Sequence, residues 1–259
     1  MKYAAYLFAL ITFLASCSSN QSKTPNWIPL FNGENLDGWE VKIAGQNAGD
    51  NYKNTFLVEN GILVVNYSEY ENFNNKFGHL ITQSTYSNYK LRVEYRIVGD
   101  QVNGGPGWGY RNNGIMIQSQ SAESMEVDQF FPTSIEVQLY GGTGDDDRTN
   151  MNVCSPGTLI DVDGKTVKDH CFNSSSKVVN GEAWTVVEVH VYGDSLIRHI
   201  IDGKVVLEYT HPRLDPESDD YQKLYSSETG DRLTKGHIAI QSESHRTEFR
   251  KIELLELSK

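Results

Sequence analysis

Apolar and polar residues alternate without a break in SIEVQLYGG, residues 134 to 142, with Ile135, Val137 and Leu139 on one side and Glu136, Gln138 and Tyr140 on the other. Successive side chains of an extended strand point to opposite faces, so this pattern predicts a strand with one face in a core. The same period runs through YKLRVEYRIVG (89 to 99), GIMIQ (114 to 118), WTVVEVHVYG (184 to 193) and GHIAIQ (236 to 241). FLVENGILVV (56 to 65) and SLIRHIIDGKVVLEYT (195 to 210) read as hairpins, because Asn60-Gly61 and Asp202-Gly203 accept the positive φ angles of tight turns. A helical period is found only in the short SDDYQKLYSS (218 to 227). About a dozen strands joined by turns predict an all-β chain, a two-sheet antiparallel jelly-roll sandwich. The 14 Tyr, 10 Phe and 22 Gly among 259 residues suit such a fold. Two stretches interrupt the period, 99 to 113 and 141 to 182, and long loops of this kind are commonly functional.

The formal charge of −11 argues against nucleic acid as a partner. Lys2 followed by the apolar YAAYLFALITFLA reads as a signal peptide over residues 1 to 16. The run Leu14-Ala15-Ser16-Cys17 is similar to a bacterial lipoprotein cleavage site, implying lipid on Cys17, a tether over 17 to 26, one domain over 27 to 259, and a place in the cell envelope. An ordinary secretory signal containing a cysteine is the alternative. Either route takes the chain out of the cytoplasm, which leaves Cys154 and Cys171 free to pair as a disulfide. A metal site using His170 beside Cys171 is the competing reading, and it lacks further ligands at zinc-like spacing.

WIPLFNGENLDGW, YKLRVEYRI, NGIMIQ, SIEVQLYGG, the DGKVV hairpin and the closing GHIAIQSESHRTEFRKIEL, in this order from about Trp27 to Leu257, resemble the 3-keto-disaccharide hydrolase domain family. The resemblance implies a concanavalin-like jelly roll with one concave sheet. It also implies cleavage of glycosides oxidised at C3, with an oligosaccharide or glycoside as the partner. The segment NVCSPGTLIDVDG…HCFNSSS then reads as a subgroup feature carrying the Cys154–Cys171 bridge.

If Ile135, Val137 and Leu139 point into the sandwich, Glu136, Gln138 and Tyr140 point out of it. Ile238 and Ile240 likewise turn Gln241 and Glu243 outward, and Met116 shares its side with Gln118. Strands that present long amides and acids, with few lysines, suggest a ligand groove rather than a plain solvated face. A two-carboxylate glycosidase needs a second acid, which the 134 to 142 strand lacks, although Glu243 could supply it from a neighbour. The 3-keto route asks for one base at C2, donors or a divalent metal for the enolate oxygen, and an acid for the leaving group. Glu136 is the expected base or metal ligand, and His245 or Glu243 the proton donor. Gln138, Gln241, Gln118, Tyr140 and Arg111 are expected to bind substrate, with Trp108 stacking on a ring and His170 aimed inward by the stapled loop. The acidic run 145 to 147 reads as a solvated loop rather than a calcium site. A non-catalytic carbohydrate binder and a structural envelope lipoprotein are the alternatives, and a pocket in which the acids converge separates them from an enzyme.

Overall fold

The computed structural model describes residues 26 to 144 and 148 to 258; the expected signal peptide, Cys17 and the acidic run 145 to 147 lie outside them. Strands run in chain order Ile28–Pro29 (β1), Trp39–Ile43 (β2), Phe56–Glu59 (β3), Ile62–Val65 (β4), Gly78–Thr82 (β5) and Asn88–Gln101 (β6). Then come Asn112–Ser119 (β7), Ile135–Gly142 (β8), Val153–Cys154 (β9), Thr158–Val162 (β10), Lys165–Val167 (β11) and Cys171–Phe172 (β12). The remainder are Val179–Asn180 (β13), Thr185–Tyr192 (β14), Leu196–Ile201 (β15), Lys204–Leu214 (β16), His237–Ser242 (β17) and His245–Glu256 (β18). Among the described residues helix is confined to single turns, such as Tyr221–Leu224 inside the stretch with helical period. Among the described residues no helix is long and apolar enough to cross a membrane.

The strands form two sheets. One orders as β11-β10-β16-β15-β14-β6-β18-β4-β3, with β1 on β18; the other as β12-β9-β8-β7-β17-β5-β2, with β13 on β8. All pairings are antiparallel except β13 on β8, a two-residue parallel contact at Gly141 and Gly142. Both expected hairpin turns are present, with Asn60-Gly61 at φ 51° and 79° and Asp202-Gly203 at φ 52° and 70°. The stretch 141 to 182 is not a plain loop: it carries β9 to β13, including a third hairpin over Asp163-Gly164.

The core forms where the apolar sides of the sheets meet. Leu91, Val93, Tyr95 and Ile97 of β6 and Val187, Val189 and Val191 of β14 face Ile135, Val137 and Leu139 of β8 and Ile238 and Ile240 of β17, all nearly or fully buried. Burial of each such aliphatic side chain contributes roughly 1.5–3 kcal/mol. The outer side of the larger sheet is a mesh of ion pairs. Arg92 bridges Glu188 at 2.9 Å and Glu253 at 2.8 Å, while Arg96 and Arg246 share Glu248 at 2.6 and 2.9 Å. Glu188 and His190 therefore belong to this sheet and to its far face.

Cys154 and Cys171 face each other across β9 and β12 and are joined as a disulfide closing 17 residues of sequence separation. Replacing both, Cys154→Ser with Cys171→Ser, should lower unfolding stability by about 2–4 kcal/mol in a denaturant titration, since the bridge restricts the unfolded chain. An unchanged midpoint would show that β9 and β12 are held by their neighbours alone.

Candidate active site

On the outer side of the smaller sheet the alternation brings polar groups into rows. Glu136 pairs with Met116, Gln138 with Gly114, and Tyr140 with Asn112, across β8 and β7. On the other side of β7, Gln241 pairs with His79 and Ala239 with Ile81 across β17 and β5. Gly114 leaves the space that Glu136 uses: a Cβ there would lie 2.5 Å from Glu136 Oε1 and 3.0 Å from Gln241 Oε1. The missing side chain lets the carboxyl of Glu136 lie across β7 towards Gln241.

Glu243 follows directly on β17, in a turn whose Ser244 has φ 83°. That turn is fixed from below by the Tyr67 hydroxyl, which accepts from the Ser244 amide at 2.8 Å and bonds Ser242 Oγ at 2.7 Å. From above, Gln101 Nε2 donates to Ser244 Oγ and to the Pro106 carbonyl, both at 2.8 Å. The loop behind Pro106 presses onto the same turn, since a Cβ on Gly109 would meet the Glu243 carbonyl at 2.8 Å. Gln101 thus positions Glu243 and Trp108 together.

Glu136, Gln138, Tyr140 and Glu243 line one cavity of about 350 Å³, with Asn112 beside them. Trp108, Phe131, Pro156, His170 and the Cys154–Cys171 bridge complete its wall. Two buried carboxyls thus meet in it. Burial raises Glu136 to about 7. Burial and then the charge of Glu136 push Glu243 well above the usual carboxylate range. Glu136 Oε1 and Glu243 Oε2 have no hydrogen-bond partner, nor has Asn112 Oδ1. Gln241 lies close enough to favour the charged form of Glu136 somewhat, yet neither of its polar atoms completes a well-formed hydrogen bond. Tyr140 is better held: its hydroxyl accepts from Gln138 Nε2 at 3.1 Å, and Arg148 stands 5.0 Å from its ring centre. Burial, followed by the charge of Glu243, keeps its phenol protonated.

Several expected site residues have other work. His245 accepts the Arg111 amide on Nδ1 at 3.1 Å and donates from Nε2 to the Gly99 carbonyl at 3.0 Å. Both ring nitrogens are committed to backbone, so His245 is a poor proton donor and does not line the cavity. The Arg111 guanidinium donates to the carbonyls of Ile97, at 3.2 Å, and Gly181, tying loops rather than facing the cavity. Gln118 sits at a bulge with φ 50°, and its amide donates to Gly193 and Leu233 carbonyls at 2.9 and 2.7 Å. Its side chain is turned away from Glu136.

Other residues at the site carry little sequence signal. Asn112 lies in register with Gly114 and was within reach of the alternation. Phe131 and Pro156 come from irregular segments, where no period points to a face. His79, fully buried against Gln241, has both ring nitrogens unpartnered. Burial, and then Lys42, hold it neutral, down to about 3. Among the described residues, three potential metal-ligand atoms gather within 4.8 Å only at Cys154, His170 and Cys171, where both sulfurs are tied up in the disulfide. The residues present therefore do not fit a preformed metal site there, and Glu136 and Glu243 lack a third ligand.

A carboxyl raised from its ordinary value by burial binds a proton more tightly folded than unfolded. Its contribution to stability is complete below the unfolded value and is lost as pH rises through about 7 for Glu136. Glu136→Gln should therefore raise stability at pH 8 by about 1–3 kcal/mol and change it little at pH 4.5. Equal effects at both values would mean that Glu136 titrates as a solvated carboxylate.

Comparison with known proteins bears on the fold and the family. Two Parabacteroides distasonis structures, named as candidate glycosyl hydrolases, match at 22% and 19% identity. Each match covers 90% of this chain, and respectively 94% and 100% of the other, with a TM-score of 0.52. A Bacillus subtilis protein with a galectin-like fold matches at 13% identity and TM-score 0.51, over 89% of this chain and 94% of that one. These likenesses show the fold, a jelly roll of the galectin and concanavalin type. Among curated proteins there is no significant match. Residues 26 to 255 match one family profile along nearly their whole length, and on that ground the chain belongs to the family of 3-keto-alpha-glucoside-1,2-lyase-like domains, a carbohydrate-related group.

Proposed function

We propose that the protein cleaves glycosides whose sugar carries a ketone at C3, by elimination across C1 and C2 followed by addition of water. The observation that supports this most is the pair of buried carboxyls, Glu136 and Glu243, with no partner on their inner oxygens. Two buried acids in one cavity cannot both ionise readily, so the first proton to leave makes the second harder to remove. Glu136 at about 7 is then poised as a base, while Glu243 keeps its proton as an acid. A reaction that uses one acid as base and the other as proton donor accounts for both carboxyls.

In the proposed reaction the Glu136 carboxylate removes the C2 proton, which the C3 ketone has acidified. The C–H electron pair forms the enolate, whose oxygen takes a hydrogen bond from the Tyr140 hydroxyl. When the ketone re-forms, the C1–O bond breaks with its electrons going to the leaving oxygen, and Glu243 supplies that oxygen's proton. Water then adds at C1 of the enone by the reverse sequence, its proton returning to the carboxyl pair. Gln138 orients a sugar hydroxyl in this scheme, whereas Gln241, expected from the sequence to bind substrate, is fully buried behind Glu136 and does not line the cavity. The Cys17 junction supports placing the reaction in the cell envelope, on a lipid-anchored protein.

The test is release of the leaving group from 3-keto-glucosides and from their unoxidised parents. Wild-type protein should act on the keto form alone, with kcat/KM rising as pH increases through about 7. Glu136→Gln should lower that rate about 10²–10⁴-fold, the usual value of a positioned base. Glu243→Gln should slow methyl glycosides far more than 4-nitrophenyl ones, whose leaving group needs no proton. Cleavage of the unoxidised parents, or full activity of Glu136→Gln, would overturn the mechanism.

A further inference from the structure

The cavity is chemically divided. Its polar groups stand on the central strands β7 and β8 and on the turn after β17, whereas its mouth is built by Trp108, Phe131, Pro156 and the Cys154–Cys171 bridge, with His170 alone polar there. Trp108 is 54% exposed, an unusual state for a side chain so firmly held. One face of its indole stacks on Phe77, with centroids 5.6 Å apart and planes 5° from parallel. Phe77 is itself buried and also meets Phe131 at 5.0 Å, which in turn lies 6.4 Å from Trp108. Below, the backbone of this loop is clamped by Gln101 through the Pro106 carbonyl. The second indole face is therefore rigid, apolar and uncovered, at the rim of a cavity of ligand size.

We infer that this rim is a leaving-group subsite for a planar, apolar aglycone, so that the preferred substrates are aryl glycosides rather than disaccharides. The inference rests on the proposed function in one respect: the carboxyl pair receives the sugar ring, which leaves the substituent on C1 to the rim. A second sugar there would place several hydroxyls against the disulfide, Pro156 and Phe131, where they lose water and only the His170 side chain offers them a partner. An aromatic ring loses nothing polar. It stacks on the free face of Trp108 and touches the disulfide sulfurs, which are polarizable partners for aromatic edges. Trp108 and Phe131 are thus the residues that determine specificity.

The test measures binding by calorimetry to Glu136→Gln protein, which removes turnover. The probes are 4-nitrophenyl α-glucoside, methyl α-glucoside and maltose, each as the parent and as the 3-keto form. The 4-nitrophenyl compounds should bind about tenfold more tightly than either of the others, a size expected for one good aromatic contact. Trp108→Ala should reduce that ratio to about one while leaving the methyl compound within roughly twofold, and Trp108→Phe should keep most of it. Thermal melts of both variants check that the fold is retained. Maltose binding as tightly as the aryl compound, a preference that survives Trp108→Ala, or no binding of any probe at millimolar concentration would each overturn the subsite. Whether wild-type protein cleaves the keto forms is read separately, so failure of the reaction and failure of the subsite are distinguishable.

Discussion

Two buried carboxyls share one cavity here, and among the described residues neither Glu136 nor Glu243 has a cation to neutralise it. Such an arrangement costs stability unless the groups stay protonated, and it persists only if the surrounding structure holds both in place. The smaller sheet does so. Glu136 is fixed by the registers of β8 with β7 and β9, and by the space over Gly114. Glu243 is fixed by a turn gripped between Tyr67 and Gln101. The folded scaffold thereby supplies the energy that keeps two mutually repelling acids together, and that stored cost is what makes one of them a base near neutral pH.

The two outer faces of the sandwich show the contrast. On the larger sheet, acids are matched with arginines, so Glu94, Glu188 and Glu248 are all held below the usual carboxylate range by arginine or histidine partners that outweigh burial. Pairing there is partly exposed and contributes modestly to stability. On the smaller sheet, unpartnered atoms of His79, Asn112, Glu136, Gln241 and Glu243 gather instead. Of these, Asn112, Glu136 and Glu243 line the cavity, where a ligand with several hydroxyls would satisfy them.

Much of this was legible in the residues. Period two assigned the inward and outward sides of β6, β8, β14 and β17 because each strand has one buried face, and Asn-Gly and Asp-Gly marked the hairpins. Glu136, Gln138, Tyr140 and Glu243 followed from the same rule and do meet in one cavity. The rule fails where it ignores backbone irregularity or hydrogen-bond demand. Gln118 left the face because a bulge turned it, and His245 and Arg111 were consumed by unpaired backbone groups at strand ends. Phe131 and Pro156 reach the cavity from irregular segments, whose path depends on tertiary packing that no local pattern encodes. The short strands inside residues 141 to 182 were hidden for the same reason, being only two to five residues long.

The raised titration of the two carboxyls can be observed without substrate. Carbon-13 labelling of glutamate side-chain carboxyls, followed by NMR across pH 3 to 10, reports each titration directly. One carboxyl should titrate near 7 and another should still be protonated above that, with both signals lost or displaced in Glu136→Gln and Glu243→Gln. If neither Glu136 nor Glu243 titrates above the ordinary carboxylate range of about 4 to 5, the pair is not coupled and the acid–base assignment is wrong.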